Sequence, residues 1–311
     1  MHMLLPKIVF MGTPEFAVPS LRILLENNFP IVAVVTPADK PSGRGLSLKP
    51  CPVKQFALDN NLLVLQPEKL RDESFVQKLK ELAPDIQVIV AFRMLPEVVW
   101  RIPTLGTFNL HGSLLPQYRG AAPIHHAVLQ GETETGVTTF LIDEKIDTGA
   151  ILLQAKTPIH PDDTTGDVHD RLMQIGAELV LKTVNALYTK TIFPILQNTI
   201  DTDKPLQAAP KLHTEFCKIN PNQPAATVYN FIRGLVPYPV AYYYYKDTLL
   251  KIYKASIEYD TESITPIGEY DTDRKSYLKL RVQDGFIHLL EVQAPNKKRL
   301  PIAEFLMGFQ P

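Results

Sequence analysis

The stretch Phe108-Asn109-Leu110-His111-Gly112-Ser113-Leu114-Leu115-Pro116 begins as a short apolar run and stops in glycine, serine and proline. A strand reads this way where it gives way to a loop. Side chains alternate across an extended chain, so Asn109 and His111 share one side of it. Working outward, residues 7–11 form an apolar run ending at Gly12, as a strand buried on both faces does. Residues 31–35, 62–65 and 85–92 read as further strands, with helices over 16–25, 53–60 and 74–82. Strands at 137–142 and 151–159 follow, then a long helix over 164–188. This alternation predicts an α/β fold: a Rossmann-like, mostly parallel sheet with helices on both faces. Ligands of such sheets bind beyond the C-terminal strand ends, where Asn109 and His111 fall.

A second glycine-terminated loop, Ile142-Asp143-Glu144-Lys145-Ile146-Asp147-Thr148-Gly149, can bring Asp147 to the same pocket. An amide, an imidazole and a carboxylate without a nucleophilic serine or cysteine suit one reaction: moving an acyl group directly from one nitrogen to another. Acyl transfer develops a negative oxygen, to which the Asn109 side-chain N–H can donate. The attacking amine loses a proton and the leaving nitrogen gains one, and histidine titrates where that shuttle is needed. Asp147 can hold the imidazole or take the proton through a water. Taken singly, Asn-x-His is more often a capped strand end, and Asp-Thr-Gly a turn. The intervening Ser113-Leu114-Leu115-Pro116-Gln117-Tyr118-Arg119-Gly120-Ala121-Ala122-Pro123-Ile124 is too irregular for ordinary core and favours a site.

Over Asn109 to Gly149 the chain resembles the formyltransferase family that uses 10-formyltetrahydrofolate. The Ser-Leu-Leu-Pro-x-Tyr-Arg-Gly-x-x-Pro run is specific to folate-dependent formyl transfer, and the match extends from Phe10-Met11-Gly12-Thr13-Pro14-Glu15-Phe16 to near the C-terminus. The resemblance implies a catalytic triad of Asn109, His111 and Asp147, and contacts to tetrahydrofolate from Ser113, Leu114, Leu115 and Pro116. It implies 10-formyltetrahydrofolate as co-substrate, no metal, and methionyl-initiator tRNA as the acceptor. At the end of the fourth strand the family carries Ala-(Tyr/Phe)-Gly, three apolar residues and proline. Here Ala91-Phe92-Arg93-Met94-Leu95-Pro96 lacks the glycine and is one residue shorter. In relatives this loop lines the folate pocket.

Composition sets bounds. A chain of 311 residues can form one large or two smaller domains. A net charge of −1 argues against broad coating of nucleic acid, though not against a local basic grip on one RNA. Cys51 and Cys217 show neither metal-ligand spacing nor a disulfide framework. The N-terminus lacks a signal-peptide core, and no apolar run reaches membrane-span length. A soluble, cytoplasmic monomer is the expectation. Gly12-Thr13-Pro14 is not the dinucleotide G-x-G-x-x-G; it reads as a tight strand-to-helix turn.

Residues 37–52 are rich in proline and glycine, which rules out regular structure on this reading. Lys40, Arg44 and Lys49 make the segment basic. On residues alone it is a solvated loop. The resemblance implies instead that it enters the acceptor arm of a tRNA, with Arg44 as the main contact. The proline-punctuated segment 192–210 reads as a linker between a catalytic domain at 1–191 and a smaller domain at 211–311. Beyond it a helix over 225–234 precedes strands at 240–245, 249–253, 277–282 and 286–292. Short strands at this spacing suggest a small barrel, and the resemblance implies an OB-like, tRNA-binding one. From residue 208 onward there are 13 Lys and Arg against 11 Asp and Glu, and 19 against 22 before it, too small an asymmetry to show RNA binding. Arg233 and Lys297-Lys298-Arg299 are candidate RNA contacts, whereas Tyr242-Tyr243-Tyr244-Tyr245 reads as strand packing.

Three other readings share these residues. A formyltransferase acting on an amino-sugar nucleotide or other small amine would keep the triad without needing the basic loop. A hydrolase releasing formate would use water as acceptor. An inert folate- or RNA-binding module would have no use for the triad.

Overall fold

The computed structural model describes residues 5–42, 47–202 and 204–308; Arg44 lies outside them. The chain forms two compact units: Met1–Gly120, Gly136–Thr157 and His169–Ala208 make one, and Ala121–Thr135, Pro158–Val168 and Ala209–Pro311 the other.

In chain order the first strands are β1 (Ile8–Gly12), β2 (Ile31–Val35), β3 (Lys40–Ser42), β4 (Ser47–Lys49), β5 (Val64–Leu65), β6 (Ile86–Val90), β7 (Thr107–His111), β8 (Arg119–Gly120), β9 (Glu134–Leu141), β10 (Ile151–Pro158) and β11 (Ala208–Ala209). The helices among them are α1 (Val18–Glu26), α2 (Pro52–Asp59), α3 (Glu73–Leu82), α4 (Glu97–Trp100), α5 (Pro123–Leu129) and α6 (Thr165–Tyr188). The main sheet runs β10-β9-β7-β6-β1-β2-β5. Pairs β1·β2, β1·β6, β2·β5 and β6·β7 are parallel, and β7·β9 is antiparallel. The expected α/β architecture is therefore present.

Every residue of β1 is buried, which a strand covered on both faces requires. Val9 and Met11 pack with Ala33, Val35, Phe75, Leu79 and Ile89 on one side. Ile8 and Phe10 point to the other and are equally inaccessible. On β7, Leu110 sits under α6 at Gly176, where an added Cβ would come within 2.8 Å of the leucine side chain. A small residue there lets the helix lie close over the strand that carries Asn109 and His111.

The reading of 37–52 as wholly irregular is corrected. β3 and β4 pair antiparallel, with Lys40 opposite Lys49 and Pro41 opposite Leu48. A two-stranded ribbon has two edges, and an edge can accept a proline that lacks a donor. The ribbon's base is anchored. Lys54 Nζ lies 2.5 Å from Asp39 Oδ2, and Gln66 Nε2 donates to the Pro37 carbonyl at 2.7 Å and to Asp39 Oδ1 at 3.1 Å. Hydrogen bonds from Lys54 and then Gln66 hold the Asp39 carboxyl below the usual carboxylate range.

The second unit is built on α7 (Ala225–Gly234) and a sheet of β12 (Ala241–Tyr245), β13 (Thr248–Tyr259), β14 (Tyr270–Thr272), β15 (Leu278–Val282), β16 (Gly285–Gln293) and β17 (Leu300–Pro301), closed by α8 (Ile302–Gly308). Its order is β12-β13-β16-β15-β14, with β17 on β16, and all these pairings are antiparallel. The pairing of β13 with β16 shifts register around Lys254, as at a bulge. Ala225, Val228 and Ile232 of α7 pack into a core with Leu250, Ile252, Leu280 and Ile287, giving the expected barrel-like β domain.

Arg233 is not a surface cation. It is 7 % exposed, and its guanidinium donates to Asn230 Oδ1 at 2.8 Å and to the carbonyls of Asp163 at 2.8 Å and His160 at 3.3 Å. A buried guanidinium committed to an amide oxygen and two carbonyls has little left for phosphate, so its reading as an RNA contact is withdrawn. Beside it the Tyr229 phenol donates to Asp162 at 2.9 Å and is pushed up to about 12, first by burial.

Candidate active site

β7 ends at the sheet's C-terminal edge and places Asn109 and His111 there, two residues apart on one side. Asn109 pairs in register with Ile89 on β6 and Phe140 on β9. It is half-buried, and its side-chain amide has no hydrogen-bond partner among the described residues, which leaves a donor available to a ligand. His111 is 6 % exposed and packs edge-on against Phe140, with ring centroids 6.4 Å apart.

The imidazole is oriented from behind. Its Nε2 lies 2.9 Å from the Tyr118 carbonyl oxygen. A carbonyl only accepts, so Nε2 carries the hydrogen and Nδ1 is left as the site that gains or gives a proton. Nδ1 faces Asp147 Oδ2 at 3.8 Å. That separation supports ion pairing but is too long for a hydrogen bond. The Tyr118 carbonyl, and not Asp147, therefore holds the ring. Nothing in the sequence marks that carbonyl, because a backbone oxygen has no residue identity.

Asp147 is itself fixed. Its Oδ2 accepts the Gly120 N–H at 2.9 Å, and its backbone is left-handed, with φ 55°. Gly149, two residues on, lies against β9: an added Cβ would fall 1.6 Å from the Leu141 carbonyl oxygen. Only glycine allows the loop to approach so closely. Thr148 Oγ1 donates to the Asp143 carboxylate at 2.9 Å, tying the start of the loop to its end. Gln197 is the participant that sequence reasoning missed. It lies in the segment read as a linker, and its Nε2 donates to the Asp147 and Gly149 carbonyls at 2.9 Å and 2.8 Å.

The loop after β7 is organised by Thr138 of β9. The buried hydroxyl donates to the Ser113 carbonyl at 2.7 Å and accepts from the Leu115 N–H at 3.1 Å and from Gln154 Nε2 at 2.9 Å. Gln154 also donates to the Leu115 carbonyl at 2.9 Å. Leu115-Pro116 is a cis peptide. Ser113, Leu115 and Pro116 are buried; Leu114 retains exposure. The four residues thus form a braced wall, and Leu114 presents its outer surface.

A cleft of about 500 Å³ opens at the same sheet edge. Thr13, Pro37 with Ala38, Pro67 with Glu68, and Phe92 with Arg93 line it, each just beyond the end of β1, β2, β5 or β6. Arg93, where the family carries glycine, donates to the carbonyls of Pro67 at 2.6 Å and Glu68 at 3.0 Å. It ties its loop to the one after β5. The left-handed residue here is Ala91, with φ 48°.

Of the basic segment, Lys40 and Lys49 sit on the paired strands β3 and β4, and Lys49 is exposed. Among the described residues no cluster of three or more His, Cys, Asp or Glu is placed to hold a metal ion, and no helix is long and apolar enough to cross a membrane. In the second unit the tyrosine run divides by alternation. Tyr243 and Tyr245 pack against Tyr270, while Tyr242 and Tyr244 pair edge-on at 6.1 Å on the opposite face, Tyr244 being 43 % exposed. Lys218 Nζ lies 5.6 Å from the Tyr244 ring, and Arg299 lies 4.4 Å from Tyr253.

A family model described as formyl transferase matches residues 6–184, and one described as formyl transferase, C-terminal domain, matches 211–310. The chain is 50 % identical over 309 residues to a methionyl-tRNA formyltransferase of Bacteroides thetaiotaomicron, covering 98 % of this chain and 96 % of that protein. It is 50 % identical over 311 residues to one of Parabacteroides distasonis, at the same coverages. Among solved structures, an N-formyltransferase from Helicobacter canadensis superposes with a TM-score of 0.68 at 24 % identity, over 93 % of this chain and all of that one, a likeness of fold. By both of its domains, this chain belongs to the formyl transferase family.

Proposed function

We infer that the protein transfers the formyl group of 10-formyltetrahydrofolate to the α-amino group of methionine esterified to initiator tRNA, as a cytoplasmic monomer. One observation carries the reading. An imidazole with its Nε2–H committed to a backbone carbonyl turns Nδ1 toward a carboxylate 3.8 Å away, and a free amide lies two residues before it on the same strand. Folate supplies the formyl group, bound through nitrogen, and the charged tRNA supplies the attacking amine; the chain positions both and manages charge and proton. Asn109 N–H donates to the formyl oxygen as negative charge builds on it. His111 Nδ1 relays a proton between the amine and the leaving nitrogen. Asp147 stabilises the imidazolium while it exists. Ser113, Leu114, Leu115 and Pro116 form the wall against which the folate lies.

The full-length likeness to methionyl-tRNA formyltransferases supports the tRNA acceptor. Arg44, Lys40 and Lys49 are the proposed grip on the acceptor arm; Lys40 and Lys49 lie on the ribbon whose base Lys54 and Asp39 anchor. The domain at 211–311 holds the rest of the RNA. Its exposed Tyr244 and half-buried Tyr242, beside Lys218, supply the aromatic and cationic groups that stack on bases and meet phosphates. Incubation with formyl-labelled folate, charged initiator tRNA and small amines including amino-sugar nucleotides tests the reading. Label should appear on methionyl-tRNA. Label on the small amine alone, or as free formate, would overturn it.

A further inference from the structure

Gln197 is 4 % exposed although its neighbours Leu196 and Phe193 stand in solvent. Its amide is fully used. The two N–H bonds point to the carbonyls on either side of Thr148, those of Asp147 and Gly149. The oxygen accepts from Arg119 twice, from Nε at 3.0 Å and Nη2 at 2.6 Å. Arg119 is followed by Gly120, whose N–H holds the Asp147 carboxylate. One side chain from 192–210 therefore joins the two loops that meet at Asp147. It clamps the backbone of a non-glycine residue in the left-handed region.

We propose that Gln197, oriented by Arg119, is a positioning residue for the transfer: it sets where the Asp147 carboxylate stands relative to His111 Nδ1. The proposal rests on the formyl-transfer reading above. Gln197 touches neither reacting group; its effect passes through Asp147. The geometry also explains why an amide is needed. A glutamate would keep the acceptor for Arg119 but lose both donors to the carbonyls. A leucine would lose both functions at similar volume.

A double-mutant cycle tests this. In the labelled-transfer assay, Q197L in the wild-type background should lower kcat by about a hundredfold, the loss that a displacement near 1 Å can cause. KM for folate and for tRNA should stay within about threefold. Q197E should fall comparably. In a D147N background, adding Q197L should lower kcat less than about threefold, because the group it positions has already lost its charge. Equal loss in both backgrounds, or loss matching the fraction of enzyme unable to bind tetrahydrofolate, would assign Gln197 to the fold alone and overturn the proposal. So would Q197L with wild-type kcat. Should Q197L not fold, R119K carries the same cycle: loss in the wild-type but not the D147N background supports the proposal, and any other pattern overturns it. A wild-type enzyme that forms no formyl-methionyl-tRNA would sink the formyl-transfer reading instead, before any variant is compared.

Discussion

At the scale of single residues, the site depends on which atoms are spent and which are left free. The Tyr118 carbonyl occupies His111 Nε2, and no described side chain occupies the Asn109 amide. Asn109→Ala should therefore lower kcat by about a hundred- to a thousandfold, the usual effect of losing one donor to a developing oxyanion, with KM nearly unchanged. Steady-state transfer kinetics check this, and a rise in KM alone would show that Asn109 only binds. Gly149 is a residue of a different kind, present for what it lacks. Gly149→Ala places a carbon against the Leu141 carbonyl oxygen, so the loop must shift. Urea denaturation should show a loss of about 1–3 kcal/mol, the usual cost of overpacking, and activity should fall with it as Asp147 moves.

At the scale of elements, two strands act as supports. Thr138 on β9 uses its donor and both acceptor lone pairs on the loop after β7 and on Gln154. Thr138→Val keeps the shape and leaves a buried carbonyl and N–H unpaired. Each such orphan costs about 1–3 kcal/mol, and the variant should melt lower by calorimetry and bind tetrahydrofolate more weakly. In the second unit, Glu258 on β13 accepts from His288 on β16 and from Lys279 on β15, cross-linking three strands. These partners, His288 first, hold its carboxyl below the ordinary 4.5. A depressed carboxyl stabilises the fold above its unfolded pKa, and that contribution is lost as pH falls through the lower folded value. The stability difference between wild type and Glu258→Gln should thus be largest near neutrality and shrink below about pH 4.5 in denaturation series. A difference independent of pH would refute the linkage.

For the molecule as a whole, the expected division of labour is chemistry at the parallel sheet's edge and RNA held by the basic ribbon and the barrel-like domain. Neutralising Lys49 and Arg44 together should weaken initiator-tRNA binding and reduce the slope of log affinity against log salt by about two. Tyr244→Ala should weaken binding with the salt slope unchanged, since stacking is uncharged. Filter binding between low and moderate salt separates the two effects. If neither variant changes affinity, the RNA is held elsewhere.

The alternating strands and helices were legible in the order of residues alone, because burial on two faces and helical spacing are local patterns. The sequence also offered Asn109, His111 and Asp147 as candidates, for the chemistry an amide, an imidazole and a carboxylate can do together. Glycine at 149 and the irregular loop between them were equally visible. What orients these groups emerges from long-range contacts in the folded chain. The ring of His111 is held by a backbone oxygen, which no residue letter encodes. Asp147 is held by Gln197, 50 residues away, in a segment that reads as a linker because its prolines break every period. The same limit explains Arg233, which reads as a free cation until three acceptors from its own unit close around it. Local pattern reports what a residue can do; the partners that use up its donors and acceptors are assembled by contacts distant in the chain, and those exist only in the fold.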